Sequence, residues 1–133
     1  MTIYFVWMSK PFEEWLKQAE YDLDTAEYMY KGRRYFYAVF MAHLAVEKAL
    51  KGLYQRRFER VPPRTHDLIY LAEQMDLEPP EQLYDFMIRL HKESVPTRYP
   101  EQLARMLQNY TRMRSREILD HSHTMIQWIK TQQ

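Results

Sequence analysis

The 133-residue chain has no cysteine, so disulfides, thiol nucleophiles and thiolate metal sites are excluded. Glycine occurs only twice. Hairpins and tight turns draw on glycine, and strict apolar–polar alternation is also missing, which argues against a sheet. No apolar run is long enough to span a bilayer. The longest, residues 1–8 (MTIYFVWM), falls well short, and it lacks the basic flank and small-residue cleavage site of a secretory signal. A cytoplasmic location is the resulting expectation. The chain also lacks a dominant charge, with a formal net of +1. That balance hides an asymmetry: residues 31–70 carry +6 and residues 96–133 carry +3, whereas residues 9–30 and 71–95 carry −4 each. Such segments read as solvated helix faces, or as a basic groove for a phosphate-bearing ligand or RNA.

What is present is helical periodicity. Residues 35–54 (YFYAVFMAHLAVEKALKGLY) are apolar almost all the way round, with Ala38, Met41, Ala42, Ala45, Ala49 and Leu53 at helical spacing and Val39, Phe40, Val46 and Leu50 widening the stripe. A helix of this kind belongs at the centre of a domain and has surface left for a second partner. Before it, Ser9-Lys10-Pro11 marks a helix start, with Ser9 as N-cap and Trp15, Leu16, Ala19, Leu23 and Ala26 as the buried stripe. This first helix is expected to run from about Pro11 to Tyr30, ending at Lys31-Gly32-Arg33, and the second from about Arg34 to Phe58. Pro62-Pro63 interrupts the chain. Thr65 then caps a short helix, about His66 to Met75. A fourth runs from about Pro80 to Glu93, Val95–Pro100 is extended, and a last helix covers about Gln102 to Lys130 with a break near Asn109. The expectation is an all-α, up-and-down antiparallel bundle of four to five helices. Residues 1–8 are expected to be an arm or an extension, with Met8 an alternative start, and residues 9–133 one domain. The surplus apolar surface of the second helix points to a homodimer.

Several polar residues stand out against this background. Glu47 and Lys51 are an i,i+4 acid–base pair with Lys48 adjacent. On a solvated helix this is a surface ion pair; on a buried helix three charges need partners or a groove. Lys48 and Lys51 are therefore candidate phosphate contacts. His43, one turn before Glu47, is either a satisfied core histidine or a donor to that carboxylate. Thr65-His66-Asp67 reads as a capping turn, or as an anion site in which His66 is helped by Arg64. Arg98 stands in Arg98-Tyr99-Pro100, where it binds phosphate or pairs with Glu47. No metal site is expected, since His121 and His123 are two apart on a helix and there is no His-x3-His pair.

Together these pieces resemble the HEPN domain family. The resemblance rests on Ala19, Asp22 and Ala26 in the first helix, on Tyr37-Ala38-Val39-Phe40 and Ala45-Val46-Glu47-Lys48-Ala49-Leu50-Lys51 in the second, and on Thr65-His66-Asp67-Leu68 and Arg98-Tyr99-Pro100. It spans Trp15 to Trp128. His43 departs from the pattern, since relatives often carry an amide-type residue there. The resemblance implies a dimeric helical bundle of the small stand-alone prokaryotic type. Such members are often companions of a minimal nucleotidyltransferase in two-component, toxin–antitoxin-like pairs, and the domain was proposed to bind nucleotides. Many other members are metal-independent ribonucleases with an Arg-x4-6-His motif.

That motif fits here in four ways: Arg116/His121, Arg114/His121, Arg116/His123 and Arg60/His66. Twelve Arg and five His make chance matches expected. At about 100° per residue, Arg114/His121 and Arg116/His123 stack within about 20° of one face, whereas Arg116 and His121 lie about 140° apart. Ribonuclease members commonly carry a Tyr two residues after the histidine, where this chain has His123. The preferred reading is therefore a non-catalytic HEPN-type module that binds a nucleotide such as ATP, or a partner nucleotidyltransferase, without a cofactor. Its site residues are Lys48, Lys51, His66 and Arg98, converging on one groove, together with Arg64, and with Glu47 a structural ion pair. The alternative is a metal-independent endoribonuclease acting on RNA through Arg114, Arg116, His121 and His123 across a dimer axis.

Overall fold

The computed structural model describes residues 11–133, so Ser9 as a cap and residues 1–8 as an arm fall outside the described residues. Seven helices and no strand occur among the described residues: α1 (Phe12–Lys31), α2 (Tyr35–Phe58), α3 (Leu68–Gln74), α4 (Glu81–Lys92), α5 (Ser94–Arg98), α6 (Leu103–Asn109) and α7 (Arg112–Lys130). The all-α bundle expected from periodicity is present; beyond the expected helices it has the turn Ser94–Arg98, and the last helix is split into Leu103–Asn109 and Arg112–Lys130.

α2 is the centre. Its alanines Ala38, Ala42, Ala45 and Ala49 are fully buried together with Val39, Val46, Leu50 and Leu53. It packs on α1 and α7 and also meets α3, α5 and α6. Direction follows from the cross-helix pairs. Glu13 meets Arg56, Trp15 meets Gln55 and Asp22 meets Lys48, so α1 and α2 are antiparallel. Glu27 meets Arg116 and Glu20 meets Lys130, so α7 is antiparallel to α1 and runs with α2. The close approach of α1 to α2 depends on Gly52, where an added Cβ would lie 2.5 Å from the Cβ of Trp15.

Local details differ from the sequence reading. Pro11, not Ser9, occupies the position before the first helical residue, with extended ψ. At the α1–α2 turn the left-handed residue is Arg33 (φ 62°), while Gly32 stays at φ −83° and closes the helix through its N–H to Tyr28 O. α3 begins two residues later than expected. Asp67 is its cap, accepting from the Tyr70 N–H, and Thr65 Oγ1 instead accepts from the Asp67 N–H. Residues 94–98 form a helical turn, not an extended segment. Pro96 is tolerated because first-turn N–H groups have no intrahelical partner to lose. Tyr99, which precedes Pro100, leaves the helical region. The break near Asn109 falls at Tyr110–Thr111, where Thr111 caps α7 by accepting from the Arg114 N–H.

Candidate functional site

The buried charge on α2 organises the centre of the molecule. Glu47 is a core position by helical phase, flanked by Ala45, Val46 and Ala49, and its side chain is only 4% exposed. A carboxylate so buried must be paired and hydrogen-bonded. Three groups from three segments meet that need. Lys51 Nζ, one turn along α2, lies 3.0 Å from Oε2. His66 Nδ1, from the loop before α3, lies 2.8 Å from Oε1, and Arg98 Nη2, at the end of α5, lies 3.3 Å from the same oxygen. Both carboxylate oxygens are engaged, and the loop and α5 are tied to α2 at one point.

The three partners differ in access. The Lys51 and Arg98 side chains are 15% and 14% exposed, whereas His66 is 56% exposed. Arg98 lies over the Phe40 ring at 4.7 Å from its centroid, and its Nε is buried without a hydrogen-bond partner. Its guanidinium therefore retains donor capacity beyond the Glu47 contact.

His43 sits behind this cluster, fully buried, with Nδ1 3.9 Å from Glu47 Oε1 and neither ring nitrogen in a hydrogen bond. Burial first, and then the positive charge of Arg98 with smaller contributions from His91 and His66, pushes its pKa down to about 3. The backbone of His66 opposes the shift only weakly. Of the two sequence readings of His43, a core residue or a donor to Glu47, the geometry gives a neutral core residue at 3.9 Å.

Among the proposed phosphate-site residues, the structure brings together Lys51, His66 and Arg98. Lys48 points elsewhere, with Nζ 2.8 Å from Asp22 Oδ2 on α1. The reason is helical phase: Lys48 is about 100° round the axis from Glu47. Arg64 is an exposed residue of the loop before α3. Asp67, besides capping α3, has His91 Nε2 at 3.7 Å.

The last helix presents a second set of charges. Arg116 makes a two-pronged contact with Glu27 of α1, Nη1 lying 2.8 Å from Oε2, and its Nε reaches Asp120 at 3.0 Å. His123 Nε2 lies 3.1 Å from the same Glu27. The Arg116 hydrogen bond is the main cause that holds the Glu27 carboxyl below its usual range, against the opposing effect of burial. Arg114 pairs with Glu93, donates to Asn109 O at 2.8 Å and lies over Tyr110. Tyr110 also bonds Glu93, and burial together with that carboxylate raises its pKa. His121 stacks on Phe86 and has Nδ1 2.8 Å from Glu117 O. An open cleft of about 610 Å³ lies along this face, lined by Tyr30, Arg112, Arg116, Asp120 and His121 among others.

Glu27, Glu93 and Tyr110 do not stand out in the sequence. The acidic surplus of residues 9–30 and 71–95 against the basic surplus of residues 96–133 carries the general signal. Which acid meets which base depends on packing. Among the described residues, no group of three or more His, Asp or Glu is arranged to hold a metal ion. Nor is any described helix long and apolar enough to cross a membrane.

Comparison with known proteins agrees with this architecture. The HEPN domain family matches residues 12–132. An archaeal HEPN homologue, ST0689, has 31% identity and a TM-score of 0.75 over 92% of this chain and 98% of its own. TT1696 from Thermus thermophilus has 30% identity and a TM-score of 0.80, again over 92% of this chain and 98% of its own. No curated protein matches the chain.

Proposed function

The chain belongs to the HEPN domain family, and from that premise we propose that it is a non-catalytic binding module for a nucleotide such as ATP, or for the protein that handles one. In this reading it is a cytoplasmic homodimer and the companion of a minimal nucleotidyltransferase in a two-component, toxin–antitoxin-like system. The observation that carries the reading is the convergence of Lys51, His66 and Arg98 from three segments onto one point, with His66 half exposed. Two fixed cations and an imidazole facing solvent at one edge are suited to a phosphate group. Titration with ATP and AMP tests this. Binding is expected, weakening as salt rises because phosphate contacts are screened, and Arg98→Ala is expected to weaken it. Failure of the wild-type chain to bind either nucleotide at low salt rejects the nucleotide reading.

A second reading rests on the cleft beside α7. Arg112, Arg116 and His121 line it, and histidine beside arginine is chemistry suited to 2′-hydroxyl attack on RNA phosphate without metal. Against it, three carboxylates (Glu93, Glu27 and Asp120) hold the two arginines Arg114 and Arg116, whereas in the first site one carboxylate, Glu47, faces two cations and an imidazole. RNA cleavage in EDTA that disappears on His121→Ala or His123→Ala would favour this reading. Clean wild-type protein, assayed without any partner, is expected not to cleave.

A further inference from the structure

We infer that Glu47 is an internal competitor for the anion, holding the Lys51–His66–Arg98 cluster in a closed form. The inference rests on the proposed phosphate site and concerns its regulation. Glu47 is placed where an anion would be: its two oxygens take the contacts of all three groups, at 3.0, 2.8 and 3.3 Å. A phosphate oxygen makes the same kinds of bond to the same donors. The carboxylate is covalently attached and preorganised by α2, so it acts at a high effective concentration. An external anion must replace it or share its donors.

Three features make sharing or replacement feasible. Arg98 approaches Glu47 through one nitrogen at 3.3 Å, the longest of the three contacts, and its buried Nε has no partner. His66, the shortest contact, is also the most exposed, so the cluster opens to solvent on that side. The His66 loop and α5 lie outside the long helices, and both reach α2 through Glu47. Releasing the carboxylate from His66 and Arg98 frees donors on two short segments, while Lys51 Nζ at 3.0 Å keeps the buried charge paired.

This assignment reverses the sign expected of a structural or ligand-supporting glutamate. If Glu47 only braces the site, Glu47→Gln loosens the donors and weakens anion binding. If it competes, the same substitution removes the competing charge at nearly constant shape and tightens binding. The test compares the wild-type chain, E47Q and the double variant E47Q/R98Q. Binding of inorganic phosphate is measured by calorimetry and by thermal shift, with chloride at matched ionic strength as control. E47Q is expected to bind phosphate about tenfold more tightly than wild type, consistent with removal of one charge-assisted competitor. R98Q in the E47Q background is expected to abolish the gain. Equal or weaker binding by E47Q overturns the proposal, as does a gain that survives R98Q. Should E47Q not fold in either salt, E47D replaces it. Its carboxylate is one methylene further from the cations, so a smaller gain is expected, and no gain overturns the proposal. The outcome separates from the nucleotide reading. Wild type that binds ATP alongside an E47Q chain with no gain removes the competitor and keeps the binding module. Wild type that fails to bind ATP alongside an E47Q chain that gains phosphate keeps the competitor and removes the module.

Discussion

Arg116 and His123, seven residues apart on α7, share a single carboxylate on α1: Glu27 takes Arg116 Nη1 at 2.8 Å and His123 Nε2 at 3.1 Å. Two helical turns bring both side chains to one face, and the antiparallel packing of α1 supplies the acid. The pair fits the spacing of a ribonuclease motif, yet here it also works as a clasp between the first and last helices. Replacing Glu27 by Gln is therefore expected to lower stability by about 1 kcal/mol, the range of part-exposed ion pairs with good geometry. The urea midpoint of unfolding measures this. An unchanged midpoint would mean that the contact is too solvated to hold the helices.

The α1–α2 interface is expected to be intolerant of volume at Gly52. A Cβ there would meet Trp15 Cβ at 2.5 Å and Cγ at 2.9 Å, atoms near the base of a buried ring that cannot swing aside. Gly52→Ala should cost about 1–3 kcal/mol by overpacking, outweighing the higher helix propensity of alanine. A raised melting temperature would contradict the close approach.

His43 predicts a specific loss of stability in acid. Its folded pKa is held at about 3, below the ordinary value of 6.5. Between those limits the unfolded chain binds a proton that the folded chain does not, so stability falls as pH drops, by up to about 1.4 kcal/mol per pH unit. Glu27, whose folded pKa is also lowered, adds a loss in the same direction at more acidic pH. His43→Leu removes the histidine contribution and at most a weak contact to the His66 backbone, since neither ring nitrogen makes a hydrogen bond of good geometry. Denaturant unfolding at pH 7, 5.5 and 4.5 should show a shallower decline for the variant. A parallel decline would place the acid sensitivity elsewhere.

The exposed side chains Val95, Tyr99, Leu103 and Leu107 lie within one stretch of α5 and α6. The apolar surface of α2, from which the sequence suggested a dimer, is largely covered within the chain itself, so under the homodimer proposal subunit contact is expected at this stretch instead. Light scattering should then give a dimer at micromolar concentration and a monomer for the double variant Leu103→Glu/Leu107→Glu. A wild-type monomer would count against the dimer, and a dimeric variant would place the contact on another surface.

Fold and site were legible to different depths, for physical reasons. Periodicity and the scarcity of glycine are local properties, and they were enough to make the chain helical with residues 35–58 at its centre. The sequence also showed that Glu47, on so apolar a helix, needs cations. Helical phase already separates Lys48 from the Glu47 face, but only packing brings Asp22 opposite it. Cap positions slipped for a similar reason: Thr65 and Asp67 can both cap, and the choice follows from where Leu68 must enter the core. The short helix at Ser94–Arg98 was hidden by Pro96, which a first turn tolerates. Tertiary structure alone decided that His66 and Arg98, 19 and 51 residues from Glu47, reach the same oxygen. It alone decided that Glu27 and Glu93 engage the arginines of α7. Charge patterning shows that acids and bases must meet. Which ones meet depends on the rotation and offset of packed helices, and those are set by the whole core.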